Sequence, residues 1–243
     1  MLSKNDIKQV HLLEQKKHRT QSGLFVAEGP KVVGDLLRHG FLPQRLFATV
    51  DYQSPVPVST TEISDDELRK LSFLQHPQQV LAVFPIPHNE GITPPAGLCL
   101  ALDGVQDPGN LGTIIRIADW FDIKTIYCSL DTADAWNPKV VQATMGSIAR
   151  VNLYYTNLEQ LLQSTTLPVY GTLLDGDNIY TQTLSTDGIV VMGNEGKGIS
   201  PSIRPLVSHR LLIPCYRQGD TAESLNVAIA TAITCAEFRR RQS

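Results

Sequence analysis

The chain has 243 residues, 42% of them hydrophobic and 19% charged, which excludes an intrinsically disordered chain and leaves room for two domains. Seventeen Gly and fifteen Pro are spread along it, so collagen-like and low-complexity readings fail. Lys and Arg total 21 against 24 Asp and Glu, a net charge of −3, so any nucleic-acid binding has to rest on local patches.

Two such patches stand at the ends. Lys4, Lys8, Lys16, Lys17 and Arg19 stand against only Asp6 and Glu14 in the first 23 residues, and the far end carries Arg239–Arg241. Charge alone reads equally as two solvated termini. Cys99, Cys128, Cys215 and Cys235 form no CxxC pair and sit in apolar stretches, as buried reduced cysteines do. The start, MLSKNDIKQVHLLEQ, lacks the apolar run of a signal peptide, and no stretch approaches 18 apolar residues. A soluble, cytoplasmic protein is expected.

In chain order, Leu24–Glu28 reads as a strand and Pro30–Arg38 as a helix with Pro in its first turn. Arg45–Thr49 and Val80–Phe84 read as strands and Asp65–Ser72 as a helix. The polar stretch HNEGITPPAG, His88–Gly97, marks a linker after a small α/β domain spanning 1–90. Beyond it, over 97–243, strands and helices alternate. Strands are expected at Leu98–Leu102, Lys124–Cys128, Val151–Tyr154, Val169–Leu174, Ile189–Met192 and Leu211–Ile213. Helices are expected at Asn110–Phe121, Pro138–Ala149 and Ser224–Arg241. This alternation predicts an α/β fold with a mostly parallel sheet and helices on both faces. Ligands of such sheets bind beyond the carboxyl ends of the strands.

Three loops follow strands there: DGVQDPGNLG (103–112), GNEGKGIS (193–200) and PCYRQGDTAESLN (214–226). The second is no P-loop, because Ile199 stands where the phosphate-binding lysine belongs, and no dinucleotide fingerprint, because Pro201 replaces the last glycine. It remains a glycine-rich turn that lets backbone approach a ligand closely, with Glu195 either a solvated turn residue or a site acid. Asn110 reads as a helix N-cap or a site residue, and Arg116 as a snorkelling or Asp119-paired residue or a site cation. Ser224 reads as the N-cap of the last helix and Asn226 as a first-turn residue. The six histidines show no metal-ligand spacing, and no GxSxG elbow appears.

Together, LDGVQDPGNLGTIIRIADWF, VVMGNEGKGIS and LLIPCYRQGDTAESLNVAIATAI, in that order, resemble the SpoU/TrmH family of RNA ribose 2′-O-methyltransferases, in the knotted SPOUT superfamily. The resemblance covers 98–241. The segment KKHRTQSGLFVAEGPKVVGDLL is similar to the family's N-terminal substrate-binding domain, itself like small ribosomal RNA-binding proteins.

The resemblance implies an RNA-binding domain over 1–90 and, over 97–243, a catalytic domain with a deep trefoil knot involving roughly Ile189–Ala230. It implies S-adenosylmethionine as cofactor, held around Leu173, Gly193, Asn194, Gly196, Ile213 and Leu225. Asn110, Arg116, Glu195, Ser224 and Asn226 match the family's active-site positions. Arg116 would hold a phosphate or act as the base, and its planar, hard-to-deprotonated fork favours the phosphate. No metal is required. The implied partners are structured RNA, ribosomal RNA before transfer RNA, and a second copy of the chain packed through the knotted domain. A non-catalytic RNA-binding module and a nucleotide-dependent oxidoreductase are the competing classes. The first predicts a broken Asn110, Arg116 or Asn226, and the second a GxGxxG after the Leu98 strand; neither mark is present. Arg239–Arg241 are expected to add an RNA-facing patch.

Overall fold

The computed structural model describes residues 2–88, 91–217, 219 and 224–241. It divides into two compact units that are not the two continuous segments expected. One is Met1–His88 together with Asp134–Arg150; the other is Asn89–Ala133 with Val151–Ser243.

Helices α1 (Lys4–Leu12) and α2 (Lys16–Ser22) open the first unit. Neither stands out in the sequence, because α1 buries only Val10 and α2 only Arg19. Ser3 starts α1 with a capping box: its hydroxyl accepts from the Asp6 amide and its own amide donates to the Asp6 carboxylate. Strand β1 (Leu24–Glu28) and helix α3 (Pro30–Arg38) take the expected bounds, followed by β2 (Arg45–Ala48), β3 (Thr61–Glu62), α4 (Asp65–Leu71) and β4 (Val80–Pro85). The sheet order is β1-β4-β2-β3, antiparallel except at the short β2–β3 pair. Val26, Phe47, Leu81 and Val83 pack on one face against Val10, Leu13, Leu68 and Leu71.

The second unit holds β5 (Leu98–Asp103), α5 (Pro108–Trp120) and β6 (Thr125–Cys128). The chain then leaves for the first unit with α6 (Pro138–Ala143) and returns as β7 (Asn152–Tyr155), α7 (Leu158–Ser164), β8 (Val169–Asn178), β9 (Gly188–Gly193), β10 (His209–Leu212) and α8 (Val227–Arg240). The six strands are all parallel, in the order β10-β8-β9-β5-β6-β7. β5 and β9 are buried along their whole length, which is why both read as unbroken apolar runs. Cys99, Ala101, Ile189 and Val191 pack on one face with Leu158, Leu162, Ile199 and Ile203. α5 and α8 pack against each other and onto β6 and β9.

The excursion corrects the expected helix Pro138–Ala149. It ends at Ala143, and Met145 (φ 52°) and Gly146 (φ 95°) turn left-handed before a short 3-10 turn, Ser147–Ala149. A Cβ on Gly146 would lie 2.3 Å from an oxygen of Asp35, so glycine alone permits this approach. Arg19 anchors the segment. Its Nε and Nη2 donate to Asp134 at 3.0 and 2.6 Å, and its Nη1 to the carbonyls of Leu13 and Glu14 at 2.7 Å. Trp136 lies against Phe25 with ring centroids 4.6 Å apart. Arg19 is therefore a buried structural ion pair and not part of an RNA-facing patch. Removing one partner of such a pair costs about 3–5 kcal/mol.

Cys99, Cys128 and Cys235 are buried as expected, but Cys215 is exposed; all four are free. Among the described residues no helix is long and apolar enough to cross a membrane.

Candidate active site

In the second unit the strand order turns back on itself between β5 and β9. The chain runs outward from β5 through β6 to β7, then crosses to fill the other side. Such a switch point opens a crevice beyond the carboxyl ends of the two strands. The loops leaving β5 and β9 are the first two loops singled out in the sequence.

The third loop joins them through one chain of hydrogen bonds. The Asn226 side-chain oxygen accepts from the Ala228 and Ile229 amides at 2.9 and 3.2 Å and so caps α8. That fixes its nitrogen outward as a donor, to Asn110 Oδ1 at 2.9 Å. Asn110 in turn donates from Nδ2 to Glu195 Oε1 at 3.0 Å. Each amide's orientation follows from the one before it, starting at the helix end. Glu195 also accepts from the backbone amides of Gln106 and Asp107 at 3.2 and 3.1 Å. Burial pushes its carboxyl up, but Asn110 and the backbone donors outweigh it and hold the group below the usual carboxylate range. Glu195 is thus a fixed anion that ties the glycine turn to the start of α5.

Two helix caps differ from expectation. Asp107, not Asn110, caps α5, accepting from the Asn110 amide at 2.8 Å. Asn226, not Ser224, caps α8. Both asparagine side chains therefore lie where the loops meet.

The glycine turn is held tightly. A Cβ on Gly193 would fall 2.2 Å from the Gly198 carbonyl carbon. Asn194 exchanges backbone hydrogen bonds with Gly198. Its side-chain oxygen accepts from the Gly196 and Lys197 amides, both at 3.0 Å, and its nitrogen donates to the Gly104 carbonyl at 2.7 Å. Asp103, at the end of β5, accepts from the Ser200 amide at 2.6 Å.

Beside this turn lies a cleft of about 520 Å³. Leu173, Gly193, Asn194, Gly196, Ile213 and Leu225 all line it, as do Glu195 and the exposed Ser224. The sequence missed Thr172, Asp175, Lys197 and Arg204 in its walls. Thr172 and Asp175 flank the expected strand end at Leu174, and strand β8 continues to Asn178. Residues 218 and 220–223 of the third loop lie outside the described residues.

Arg116 does not join the network. It is exposed and makes no hydrogen bond or ion pair among the described residues, so pairing with Asp119 is not found. Six residues along α5 carry it about 9 Å beyond Asn110 and about 240° around the axis. The terminal arginines are committed elsewhere. Arg239 donates to the carbonyls of Phe121 and Asp122, and Arg241 to those of Ile179 and Tyr180. Arg240 and Arg241 also grip the buried Glu237 at 2.9 and 2.8 Å. They bind the end of α8 to its own unit instead of forming the expected patch. Among the described residues no group of three His, Cys, Asp or Glu is placed to hold a metal.

Comparison with known proteins places this geometry. The SpoU rRNA Methylase family model matches residues 97–236, and the MRM3-like substrate binding domain model matches 4–82. A Bacillus subtilis relative, the 23S rRNA (guanosine(2553)-2′-O)-methyltransferase RlmP, is 32% identical, over 93% of each chain. The solved AdoMet-bound rRNA methyltransferase from Sinorhizobium meliloti is 31% identical with a TM-score of 0.87, covering 100% of this chain and 97% of that one. A TrmH-family structure from Porphyromonas gingivalis is 41% identical with a TM-score of 0.89, covering 99% of each. With its family model matched over more than half its length, and its three loops meeting at the crevice of a parallel sheet, the chain belongs to the SpoU rRNA methylase family.

Proposed function

We propose that the protein transfers a methyl group from S-adenosylmethionine to a ribose 2′-hydroxyl of ribosomal RNA, as a homodimer in the cytoplasm. The observation that carries this is the convergence of Glu195, Asn110 and Asn226, from three separate loops, beside the 520 Å³ cleft. The cleft suits the cofactor. Its volume lies within the range of small-ligand sites, Leu173, Ile213 and Leu225 offer apolar walls, and the glycine turn offers backbone at close range. The bound cofactor supplies a methyl already activated by the sulfonium charge.

What the chain supplies is position; the proton of the attacking hydroxyl leaves to solvent at this exposed site. Asn110 and Asn226 each keep a second amide hydrogen beyond the bonds described, and these orient the hydroxyl that approaches the cleft. Glu195 holds Asn110 and takes no proton itself, since its carboxylate already accepts three N–H groups. Ser224, exposed on the cleft wall, offers a further hydroxyl. Asn194 shapes the turn through its bonds with Gly104, Gly196 and Lys197, and keeps one side-chain N–H beyond these bonds in the wall of the cleft, beside Gly193 and Gly196. Arg116, exposed and without a partner among the described residues, holds the phosphate next to the target ribose; a guanidinium fork is a strong donor and a very weak proton acceptor.

The exposed lysines Lys4, Lys8, Lys16 and Lys17 of the first unit meet RNA. Trp120, 85% exposed near the end of α5, and Ile229, 52% exposed on α8, face the second copy. The family's trefoil knot belongs to the same reading. Mapping 2′-O-methyl groups in total RNA with and without the gene tests it. Loss of one ribosomal RNA methylation is expected. A site lost from transfer RNA instead, or no lost site, refutes the substrate.

A further inference from the structure

The first unit carries a second cleft, of about 410 Å³, between α1, α2 and the sheet end formed by β1, β2 and β4. Its floor is apolar, with Val10, Leu24 and Val83 among its lining. Its walls are different in kind. Asn5, Gln9, Gln21 and Gln44 all line it, all are exposed, and none of the four carboxamides has a hydrogen-bond partner among the described residues. Arg45 lines it too. Its guanidinium carbon sits 5.1 Å from the centre of the Phe47 ring and its Nη2 lies 3.0 Å from Asp6, so the group is held in place from two sides.

The charge on the two helices that wall the cleft is lopsided. Lys4 and Lys8 on α1 and Lys16 and Lys17 on α2 are exposed with no carboxylate partner among the described residues. Asp6 is paired with Arg45, which leaves Glu14 as the one opposing charge on these two helices and the turn between them. A polyanion is the partner such a surface fits.

The walls narrow this further. A carboxamide presents a donor and an acceptor side by side, matching the edge of a base, and a guanidinium offers a flat face for stacking. Phosphate alone calls for neither. The volume lies in the range of sites for small organic groups. We propose that this cleft takes an unpaired nucleobase of the RNA substrate, its edge read by Gln9, Gln21 and Gln44, with the α1 and α2 lysines on the flanking phosphates. The inference rests on the RNA methyltransferase reading above and gives the first unit a sequence-reading site apart from the reaction centre.

The test uses the full chain and deproteinised large-subunit ribosomal RNA. Affinity is measured against salt, and base reactivity toward a Watson–Crick-edge probe is recorded with and without protein. Gln9→Leu and Gln21→Leu, with the isosteric Gln21→Glu as a check on packing, are each expected to lower affinity about five- to tenfold. They should restore the reactivity of one base that the unsubstituted protein protects, and leave S-adenosylmethionine affinity unchanged. Lys16→Gln with Lys17→Gln should weaken binding and reduce the slope of log K against log salt by about 1.4–1.8, two phosphate contacts' worth, without exposing that base. Equal affinity and an unchanged protection pattern in the glutamine variants overturn this site alone. Failure of the unsubstituted protein to bind the RNA overturns the ribosomal reading and the site with it.

Discussion

Replacing Glu195 with Gln isolates what its charge does. The side chain keeps its shape but loses one acceptor and gains a donor. Oε1 now accepts from Asp107 N–H and Asn110 Nδ2, and Oε2 from Gln106 N–H. A glutamine that keeps its oxygen in the Oε1 position retains two of these bonds and turns an NH₂ toward the Gln106 amide. The unmatched donor costs about 1 kcal/mol at a half-open site, the low end for an unsatisfied group. Losing the charge weakens the two remaining bonds by about 0.5 kcal/mol each. The total of about 2 kcal/mol falls on the placement of Asn110 and the 103–112 loop, not on the sheet. If all of it is expressed in the reaction barrier, methyl transfer slows about thirtyfold. Single-turnover transfer of labelled methyl to ribosomal RNA reads that rate, and calorimetry reads cofactor affinity, which should change less than threefold. Because Glu195 acts through Asn110, Glu195→Gln with Asn110→Ala should be scarcely slower than Asn110→Ala alone. A rate within threefold of the unsubstituted enzyme refutes the reasoning. So does a parallel fall in cofactor affinity, which would make Glu195 a cofactor ligand.

Arg116→Ala should abolish methyl transfer while leaving folding stability within about 0.5 kcal/mol, since the side chain removed is exposed and has no partner among the described residues; normal turnover in a transfer assay would falsify the phosphate role. Gly193→Ala should weaken cofactor binding at least tenfold by calorimetry, because its methyl group would overlap the Gly198 backbone; unchanged affinity means the turn is not the cofactor's seat. Trp120→Glu should shift the protein from dimer to monomer in sedimentation at micromolar concentration, and an unmoved dimer places the interface elsewhere. Glu237 titrates low because Arg240 and Arg241 bond its carboxylate. A depressed folded pKa stabilises above the unfolded value and is lost as pH falls toward the folded one, so this contribution is full at pH 6 and fades below about pH 4. Thermal melts of Glu237→Gln should show a shallower acid limb, and identical limbs would refute the assignment.

Much of the catalytic half was legible because it is built from unbroken signals. Leu98–Leu102 of β5 and Ile189–Met192 of β9 are unbroken apolar runs, and the three loops follow strand ends. The caps were misassigned because Asn, Asp and Ser compete for one role on similar terms, and only coordinates show which oxygen faces the helix. α1 and α2 were missed because each buries a single residue. The fate of Arg19, Arg239 and Arg241 could not be read, since each has a partner about 60 to 120 residues away, several of them backbone carbonyls, which carry no sequence signal. The break after Ala143 was hidden for the same reason: Gly146 answers to Asp35, more than a hundred residues earlier.

The excursion of Asp134–Arg150 sets a timetable for biosynthesis. Arg19 is made early, but its carboxylate partner appears 115 residues later, after β5 and β6 have been made. At about 5–20 residues per second, the 62 residues from His88 to Arg150 keep the amino-terminal unit unfinished for roughly 3–12 seconds. During that interval Phe25 lacks the indole of Trp136 and a guanidinium waits without its anion. The nascent chain therefore cannot mature one domain at a time. Its first unit closes only when about a third of the second has been translated, and a ribosome that stalls between the two leaves a product with neither unit complete.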